Sequence, residues 1–392
     1  MASVVPARMR PALLQDVYQK GVDRAVVLWS CGGGRIFGVK RAPTLLDVAT
    51  LAGVSYATVD RVINGRGPVA AKSRDNVMQA VAQLGYVRNV AAANLAQRRV
   101  YRFCFIIPEG TNSFFDRVCD IVRASRPLAG TDRVHLQIER VAAFDAAALA
   151  DRLVALAAAT LDGIALVGVS DARVDAAIAA LRGKGVAVLT IVSDMPLSVR
   201  DAYVGIDNAT AGRTAGGLIA LAHDGKPGRV LPIIGALTAR DHAERLAGLR
   251  ERLADTGLSV APLVEGRDRH AVVEAELTAA LAADPGITAI YSAGAGNMGL
   301  IRALAQRPQG TARPVVVVHE LLPHSRAGLE DGVIDIVIDQ RPEEEVAWTL
   351  TLLRRLADRH PLPAARQIVP AIYIRDNLPA AQDLAVLEGS AA

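Results

Sequence analysis

Short apolar runs alternate with longer stretches rich in Ala and Leu over residues 103–338, and this alternation constrains the fold most. The apolar runs have the length of strands, and the stretches between them have helical spacing, as at 146–158, 172–181 and 211–222. Eight runs are predicted as strands, namely 103–107, 134–138, 163–167, 186–192, 230–234, 288–291, 315–318 and 334–338. Strands that alternate with helices form parallel sheets covered on both faces. About 290 residues exceed one ordinary core, so we predict two sub-domains.

Polar and aromatic side chains follow many of these runs. Ligands of such folds bind beyond the carboxyl ends of the strands. Polar strand-end loops also serve solubility alone, but amides, carboxylates, Arg and aromatic edges together suit a polyhydroxylated small molecule. The candidate ligand-binding residues are Asn112, Phe114, Phe115, Ser170, Asp194, Arg240, Arg245, Asn297, Glu320 and Gln340. Few Lys and Arg occur in these loops, which favours an uncharged ligand such as a sugar or cyclitol.

Two amphipathic helical segments joined at Gly53 occupy residues 44–64. Gly53 suits a left-handed turn, and Ser55 is placed to cap the second segment. This pattern predicts a helix-turn-helix whose second helix presents Tyr56, Ala57 and Arg61 to the DNA major groove. Helix pairs of this kind also occur in bundles that bind no DNA.

Charge is unevenly distributed along the chain. Residues 1–100 carry 14 Lys and Arg against 5 Asp, a balance of about +9, whereas the whole chain has only +4. The positive charge is therefore concentrated where the helix-turn-helix lies, which favours DNA binding.

Residues 43–89 resemble the DNA-binding headpiece of the lactose-repressor (LacI/GalR-type) family. The resemblance covers the helix-turn-helix, a third helix around 72–84, and a hinge helix that begins at Asn89. It implies a double-stranded, near-palindromic operator and a lever residue, Leu95, that wedges into the minor groove. The implied DNA-contacting residues are Thr44, Ser55, Tyr56, Ala57, Thr58, Arg61, Asn64, Asn89, Ala92 and Leu95. Two positions depart from the family: Asp60 replaces a frequent Ser, and Arg88 replaces the Pro that usually precedes the hinge.

Residues 102–384 resemble, more loosely, the periplasmic-binding-protein-type effector domain of the same family. Arg240 and Arg245 match its R…ER..G segment, and Glu320 stands where an effector-binding Asp is usual. The implied fold class is α/β: an all-α helix-turn-helix headpiece (42–88), a hinge (89–100) and a two-lobed domain with parallel sheets (101–392). The lobes are expected at about 101–206 plus 341–362 and about 207–340 plus 363–384. The resemblance implies a homodimeric transcriptional repressor whose effector is a sugar, sugar phosphate, nucleoside or purine. The scarcity of Lys and Arg in the loops favours an uncharged sugar or cyclitol among these, and we expect a cytoplasmic protein.

One motif favours a different class of protein. Gly294, Gly296 and Gly299 form a G-x-G-x-x-G after a predicted strand, and Glu320 follows about 20 residues later, as in NAD-dependent oxidoreductases. The structural alternative is that these glycines permit a tight strand-helix turn. No catalytic pairing accompanies the motif, so we expect neither an enzyme nor a cofactor. A transport-type solute-binding protein would share the C-terminal fold but would carry a signal peptide in place of the basic headpiece.

The remaining features restrict the chain further. The His residues lack metal spacing, and no apolar run reaches the roughly 18 residues of a membrane helix. Cys31, Cys104 and Cys119 form no CxxC pair, which fits a reducing compartment without disulfides. Residues 1–41 contain no phosphate loop or secretory signal, and we expect them to be disordered or to result from an incorrectly assigned start site.

Overall fold

A computed structural model describes residues 43–64, 67–86, 99–126, 133–308 and 310–380. The chain divides into two compact units, Met1–Asn89 and Val90–Ala392. The expected extension at 1–41 and most of the expected hinge, including Asn89, Ala92 and Leu95, lie outside the described residues.

The described part of the first unit contains three short helices: α1 (Leu45–Ala52), α2 (Tyr56–Asn64) and α3 (Ala71–Leu84). Thr44 caps α1 in a reciprocal arrangement with Asp47, whose carboxylate accepts from the Thr44 N–H at 2.7 Å. Gly53 ends α1 at a φ of 63°, a left-handed conformation that favours glycine. The Ser55 Oγ accepts from the N–H of Thr58 at 3.2 Å and caps α2. The predicted helix-turn-helix is confirmed, and small apolar residues around Val48, Val59 and Val77 fill its core.

The second unit has two lobes, each built on a sheet. The first lobe runs through β1 (Tyr101–Glu109), α4 (Ser113–Ala124), β2 (Val134–Ala142), α5 (Ala146–Leu156), β3 (Gly163–Val167), α6 (Ala172–Gly183), β4 (Ala187–Ile191) and β5 (Ala202–Val204). Its strands are parallel in the order β2-β1-β3-β4-β5. Alternate residues of β1 enter different cores: Phe103 and Phe105 pack beside α4, whereas Cys104 and Ile106 pack beside α5 and α6. Burial on both faces explains why this strand reads as a continuous apolar run.

The second lobe repeats the pattern. It contains α7 (Asn208–His223), β6 (Gly228–Ile234), α8 (Arg240–Leu253), β7 (Leu258–Val260), β8 (Val264–Glu265), α9 (His270–Ala283), β9 (Ile287–Ser292), α10 (Asn297–Ala305), β10 (Val315–His319), α11 (Pro323–Glu330) and β11 (Ile336–Asp339). The strand order is β12-β11-β10-β9-β6-β7, with β8 also paired to β6. The edge strand β12 (Ala371–Tyr373) is antiparallel to β11 and departs from the predicted all-parallel arrangement.

The chain passes between the lobes more than once. After β11, in the second lobe, helix α12 (Pro342–Ala357) packs on the first sheet, where Val346, Leu352 and Leu353 join its core. The chain then returns to form β12 and a 3-10 turn at Arg375–Asn377. The lobes therefore share one set of crossing segments, and the carboxyl ends of both sheets face one cleft.

All eight predicted runs overlap strands, but four strands were not predicted. The missed strands, β5, β7, β8 and β12, are two or three residues long. Segments this short do not show a hydrophobic period.

Candidate ligand cleft and DNA-binding face

Helix α2 presents the predicted base-reading side chains to solvent. Tyr56 is 53% exposed, and Ala57 and Arg61 are also exposed. Because Ser55 and Thr58 hydrogen bond to each other (2.9 Å between hydroxyl oxygens), these two side chains are partly committed to the cap. Asn64 is the last residue of α2. The phenol of Tyr56 and the methyl group of Ala57 thus lie at the N-terminal end of α2, and the Arg61 guanidinium lies in its last turn. All three side chains are accessible for base reading in a groove.

The cleft between the lobes has a volume of about 260 Å³. Eight of the ten candidate ligand residues line it: Asn112, Phe114, Phe115, Ser170, Arg245, Asn297, Glu320 and Gln340. They come from strand ends in both lobes, as expected for this topology. The volume lies near the lower limit of small-molecule sites, which suits a compact ligand.

Two candidates do not line the cleft. Asp194 turns away because Arg200 pairs with it, and the Thr190 hydroxyl donates to it at 2.8 Å. Arg240 is exposed on α8 and pairs with Glu244 one turn later, at 2.6 Å. Asp194 and Arg240 thus form ion pairs with nearby residues outside the cleft lining.

Arg245 is the buried cation of the cleft, at 2% exposure. Its Nε donates to Asn208 Oδ1 at 2.8 Å, and its Nη1 donates to the Ala293 carbonyl at 2.9 Å. The Nη2 atom has no hydrogen-bond partner among the described residues. A buried donor of this kind is costly unless another group accepts from it, so the cleft is suited to a ligand oxygen.

Glu320 and Gln340 form the second polar group of the cleft. The Gln340 amide donates to Glu320 Oε1 at 2.7 Å, while Glu320 Oε2 and Gln340 Oε1 have no partner within the described part of the chain. Neighbouring His319 contacts the Tyr291 hydroxyl through Nε2 at 2.8 Å. Burial lowers the pKa of His319 well below its usual value, so its ring is neutral.

Sequence reasoning missed several lining residues, chiefly Asp268, Phe144 and the histidines at 242, 270 and 324. Asp268 follows β8, a two-residue strand that gave no periodic signal. Phe144 follows β2, so the strand-end rule used for the other loops would have found it. Burial lowers the pKa of His324 to about 4, which leaves this ring uncharged at neutral pH.

Asp268 also joins the two lobes across the cleft. Its backbone oxygen accepts from the Thr111 hydroxyl at 2.6 Å, and its carboxylate accepts from the Asn112 amide at 2.9 Å. Elsewhere Arg117 of α4 binds Asp339 of β11 at 2.8 Å. Contacts from the first lobe to the second at both places hold the cleft closed.

The glycine motif serves packing. A Cβ at Gly299 would overlap the carbonyl oxygen of His270, at the start of α9, and a Cβ at Gly296 would contact Val273. Gly294 similarly approaches the backbone of Gly235. These contacts explain the spacing without a dinucleotide, and the oxidoreductase alternative is not favoured.

Metal binding and membrane insertion are not indicated by the described residues. No set of three His, Cys, Asp or Glu in the described ranges is placed to hold a metal ion. Within the same ranges, no helix has the length and apolar character needed to span a membrane.

The fold and cleft define a two-lobed ligand-binding domain that follows a helix-turn-helix headpiece. Residues 103–361 match the family model of the periplasmic binding protein domain, and residues 44–89 match that of bacterial regulatory proteins of the lacI family. The chain therefore belongs to the periplasmic binding protein domain family over residues 103–361, and its residues 44–89 form a helix-turn-helix domain of the lacI type.

Individual relatives agree with this assignment. The HTH-type transcriptional regulator CelR of Thermobifida fusca is 32% identical over 234 residues, 56% of this chain and 63% of that protein. DegA of Bacillus subtilis, also an HTH-type transcriptional regulator, is 26% identical over 219 residues, 55% of this chain and 62% of that protein. The chain thus spans less than two thirds of either relative. An ABC transporter solute-binding protein of Burkholderia graminis, solved with D-arabinose, is 25% identical with a TM-score of 0.65, covering 71% of this chain and 96% of that chain.

Proposed function

We propose that this chain is a sequence-specific DNA-binding transcriptional repressor whose affinity for its operator is controlled by an uncharged sugar or cyclitol. One observation carries the proposal: a helix-turn-helix with an exposed reading face and a closed polar cleft occur in the same chain. A regulator needs both a DNA-reading surface and a ligand-dependent domain. Neither a transport protein nor an oxidoreductase requires a DNA-reading surface.

The chemistry of the cleft supports a sugar. Aromatic rings of Phe114, Phe115 and Phe144 offer apolar faces, while amides, carboxyls and Arg245 offer hydrogen bonds. The single buried guanidinium is accompanied by buried Asp241 and Asp268, so the cleft has no surplus positive charge for a phosphate. The D-arabinose bound by the Burkholderia protein is consistent with this choice.

The proposed assembly is a cytoplasmic homodimer on a near-palindromic operator. A two-fold dimer presents two α2 helices to symmetric half-sites in successive major grooves. Ligand would alter the closure of the lobes and thereby the geometry of the headpieces. The proposed DNA contacts are Thr44, Ser55, Tyr56, Ala57, Thr58, Arg61, Asn64, Asn89, Ala92 and Leu95, with Leu95 as the residue that wedges into the minor groove.

The test is a fluorescence-anisotropy titration of the full chain on labelled DNA from its own upstream region. Sugars, cyclitols, nucleosides and NAD are added in turn at physiological salt. We expect specific DNA binding that a sugar or cyclitol changes. An absence of DNA preference would overturn the regulator, and a response only to nucleosides or NAD would overturn the ligand class.

A pair of variants tests the reading face. Arg61→Ala and Arg74→Ala each remove one exposed cation from the headpiece, so both weaken electrostatic DNA binding similarly. If Arg61 reads a base, its loss costs an additional ~1–3 kcal/mol on the specific site. Anisotropy on specific and scrambled DNA separates the two effects. If both variants lose the same amount of affinity for the specific site, Arg61 does not read a base.

A further inference from the structure

Glu320 occupies an unusual position for a carboxyl group. It lies directly after β10, is 6% exposed and has a φ of 70°, in the left-handed region that disfavours residues other than glycine. Its Oε1 accepts one amide hydrogen bond from Gln340, and its Oε2 has no partner in the described ranges. The side chain lines the cleft, so Oε2 is the atom left for a ligand.

No cation of the described residues hydrogen bonds to this carboxyl group. Arg117 is committed to Asp339 and Glu343, each at 2.8 Å. Arg245 donates to Asn208 and to the Ala293 carbonyl instead. The Nδ1 atom of His319 is 3.9 Å from Oε1, beyond hydrogen-bond distance.

Other carboxyl groups approach from neighbouring elements. Asp339 on β11 and Glu345 on α12 are both 2% exposed and face the same cluster. Burial first, and then the charge of Asp339, raises the pKa of Glu320 to about 8, against the opposing effects of Arg245, Gln340 and Arg117. Burial likewise raises the pKa of Glu345 well above its usual value.

We propose that Glu320 meets the ligand as a neutral carboxylic acid, whose Oε2 donates a hydrogen bond to an acceptor oxygen of the sugar. The inference rests on the proposed function in taking an uncharged sugar as the ligand. A protonated Glu320 and the Arg245 Nη2 would then supply two hydrogen-bond donors to the same cleft. Ligands that present a ring, carbonyl or hydroxyl oxygen there are selected, because a ligand without an acceptor leaves two buried donors unpaired.

The protonation state is tested without any ligand. Infrared spectra of the full chain are recorded from pH 6.5 to 9.5 for the wild type and for Glu320→Gln, which has the shape and neutrality of the proposed form. The difference spectrum at pH 6.5 should show one protonated carboxyl group that is lost as the pH rises through about 8. An ionised carboxylate in that difference spectrum at pH 6.5 would overturn the proposal.

Unfolding measurements check the same state through linkage. A carboxyl group whose pKa is higher in the folded state stabilises the fold below the unfolded pKa and loses that contribution as the pH rises. The unfolding free energy of the wild type should therefore fall relative to Glu320→Gln between pH 4.5 and about 8. If the unfolding free energies of the two proteins change in parallel with pH, the raised pKa of Glu320 is contradicted.

The ligand arm uses the sugar that gives the largest response in the anisotropy panel. Wild-type affinity should weaken about tenfold per pH unit above the apparent pKa, because binding then requires uptake of a proton. Glu320→Gln should bind with a pH-independent affinity within about tenfold of the wild type. Glu345→Gln, a buried carboxyl of the same cluster that does not line the cleft, should keep the wild-type pH dependence.

The outcomes separate the two proposals. A flat wild-type affinity from pH 6.5 to 9.5, or complete loss of binding in Glu320→Gln, would show that an ionised Glu320 accepts from the ligand and would sink the inference alone. If no sugar or cyclitol binds, the ligand class of the proposed function fails, and the infrared result still decides the state of Glu320.

Discussion

Arg245 is the residue on which the cleft most depends. Its guanidinium joins α7, through Asn208, to the loop after β9, through Ala293, and still has one nitrogen without a partner. Arginine suits this place because its planar fork holds several acceptors at fixed angles, which a lysine ammonium group does not.

Replacement of Arg245 should separate ligand response from DNA binding. We expect Arg245→Lys to lower ligand affinity at least about tenfold, while operator affinity without ligand is retained. Arg245→Ala should also destabilise the fold by ~1–3 kcal/mol for each acceptor left unpaired. Anisotropy with the responding sugar measures the first effect, and chemical denaturation the second.

Arg240→Ala is the matched control on the same helix, because its side chain lies outside the cleft and pairs with Glu244. A ligand response lost equally in Arg240→Ala and Arg245→Lys would contradict the placement of Arg245.

Strand-end reasoning recovered the residues whose position follows from topology. Asn112, Glu320 and Gln340 lie within five residues of the end of a predicted strand, and all three line the cleft. Asp194 was placed wrongly because its orientation depends on Arg200, six residues later in an irregular loop. Such loop conformations leave no periodic signal in sequence.

At the scale of elements, α7 and α8 pack unusually closely. A Cβ at Gly212 would overlap the carbonyl oxygen of Arg245, and a Cβ at Gly248 would overlap that of Ala209. The glycines thus let the backbone that carries Arg245 approach α7, which places the guanidinium within reach of Asn208.

Two glycine substitutions in α7 should therefore behave differently. Gly212→Ala forces α7 and α8 apart and should destabilise the second lobe by ~1–3 kcal/mol. Gly217→Ala, in the same helix, meets only the flexible Arg252 side chain at 3.5 Å and should be neutral or stabilising by up to ~1 kcal/mol. Thermal unfolding compares the two, and equal stability would contradict the close packing.

Strands of four or more residues were predictable from their apolar runs, which burial on both faces of a sheet favours. The helix-turn-helix was predictable from local chemistry, since Gly53 adopts the left-handed turn and Ser55 the cap that these residue types favour. Short edge strands such as β12 depend on a partner strand already in place and were missed.

At the scale of the whole molecule, Asp268 links the two lobes across the cleft. It accepts from Thr111 and Asn112, and its φ of 56° lies in the left-handed region, which Asp adopts more readily than most residues. Replacement of one of these partners therefore tests whether the contact holds the lobes together.

Asn112→Asp should open the lobes, because two carboxylates would then face each other in place of an amide–carboxylate hydrogen bond. The Asp side chain retains the cap on α4 that Asn112 supplies through Phe114. Spin labels at exposed Val154 and Leu221, in a Cys31→Ser background, report the distance between lobes. Asn112→Ser, which keeps a capping oxygen without the repulsion, is the control. Distance distributions in Asn112→Asp identical to those of the wild type would show that this contact does not control closure.

The path of α12 also bears on how the protein is made. This helix completes one face of the first sheet, yet it is encoded after most of the second lobe. Because the ribosome adds ~5–20 residues per second, α12 is synthesised many seconds after the strands β1 to β5 that it covers. During that interval the apolar face around Phe103 and Leu189, which is buried in the finished fold, is uncovered. This face is therefore the surface that a chaperone of nascent chains would bind.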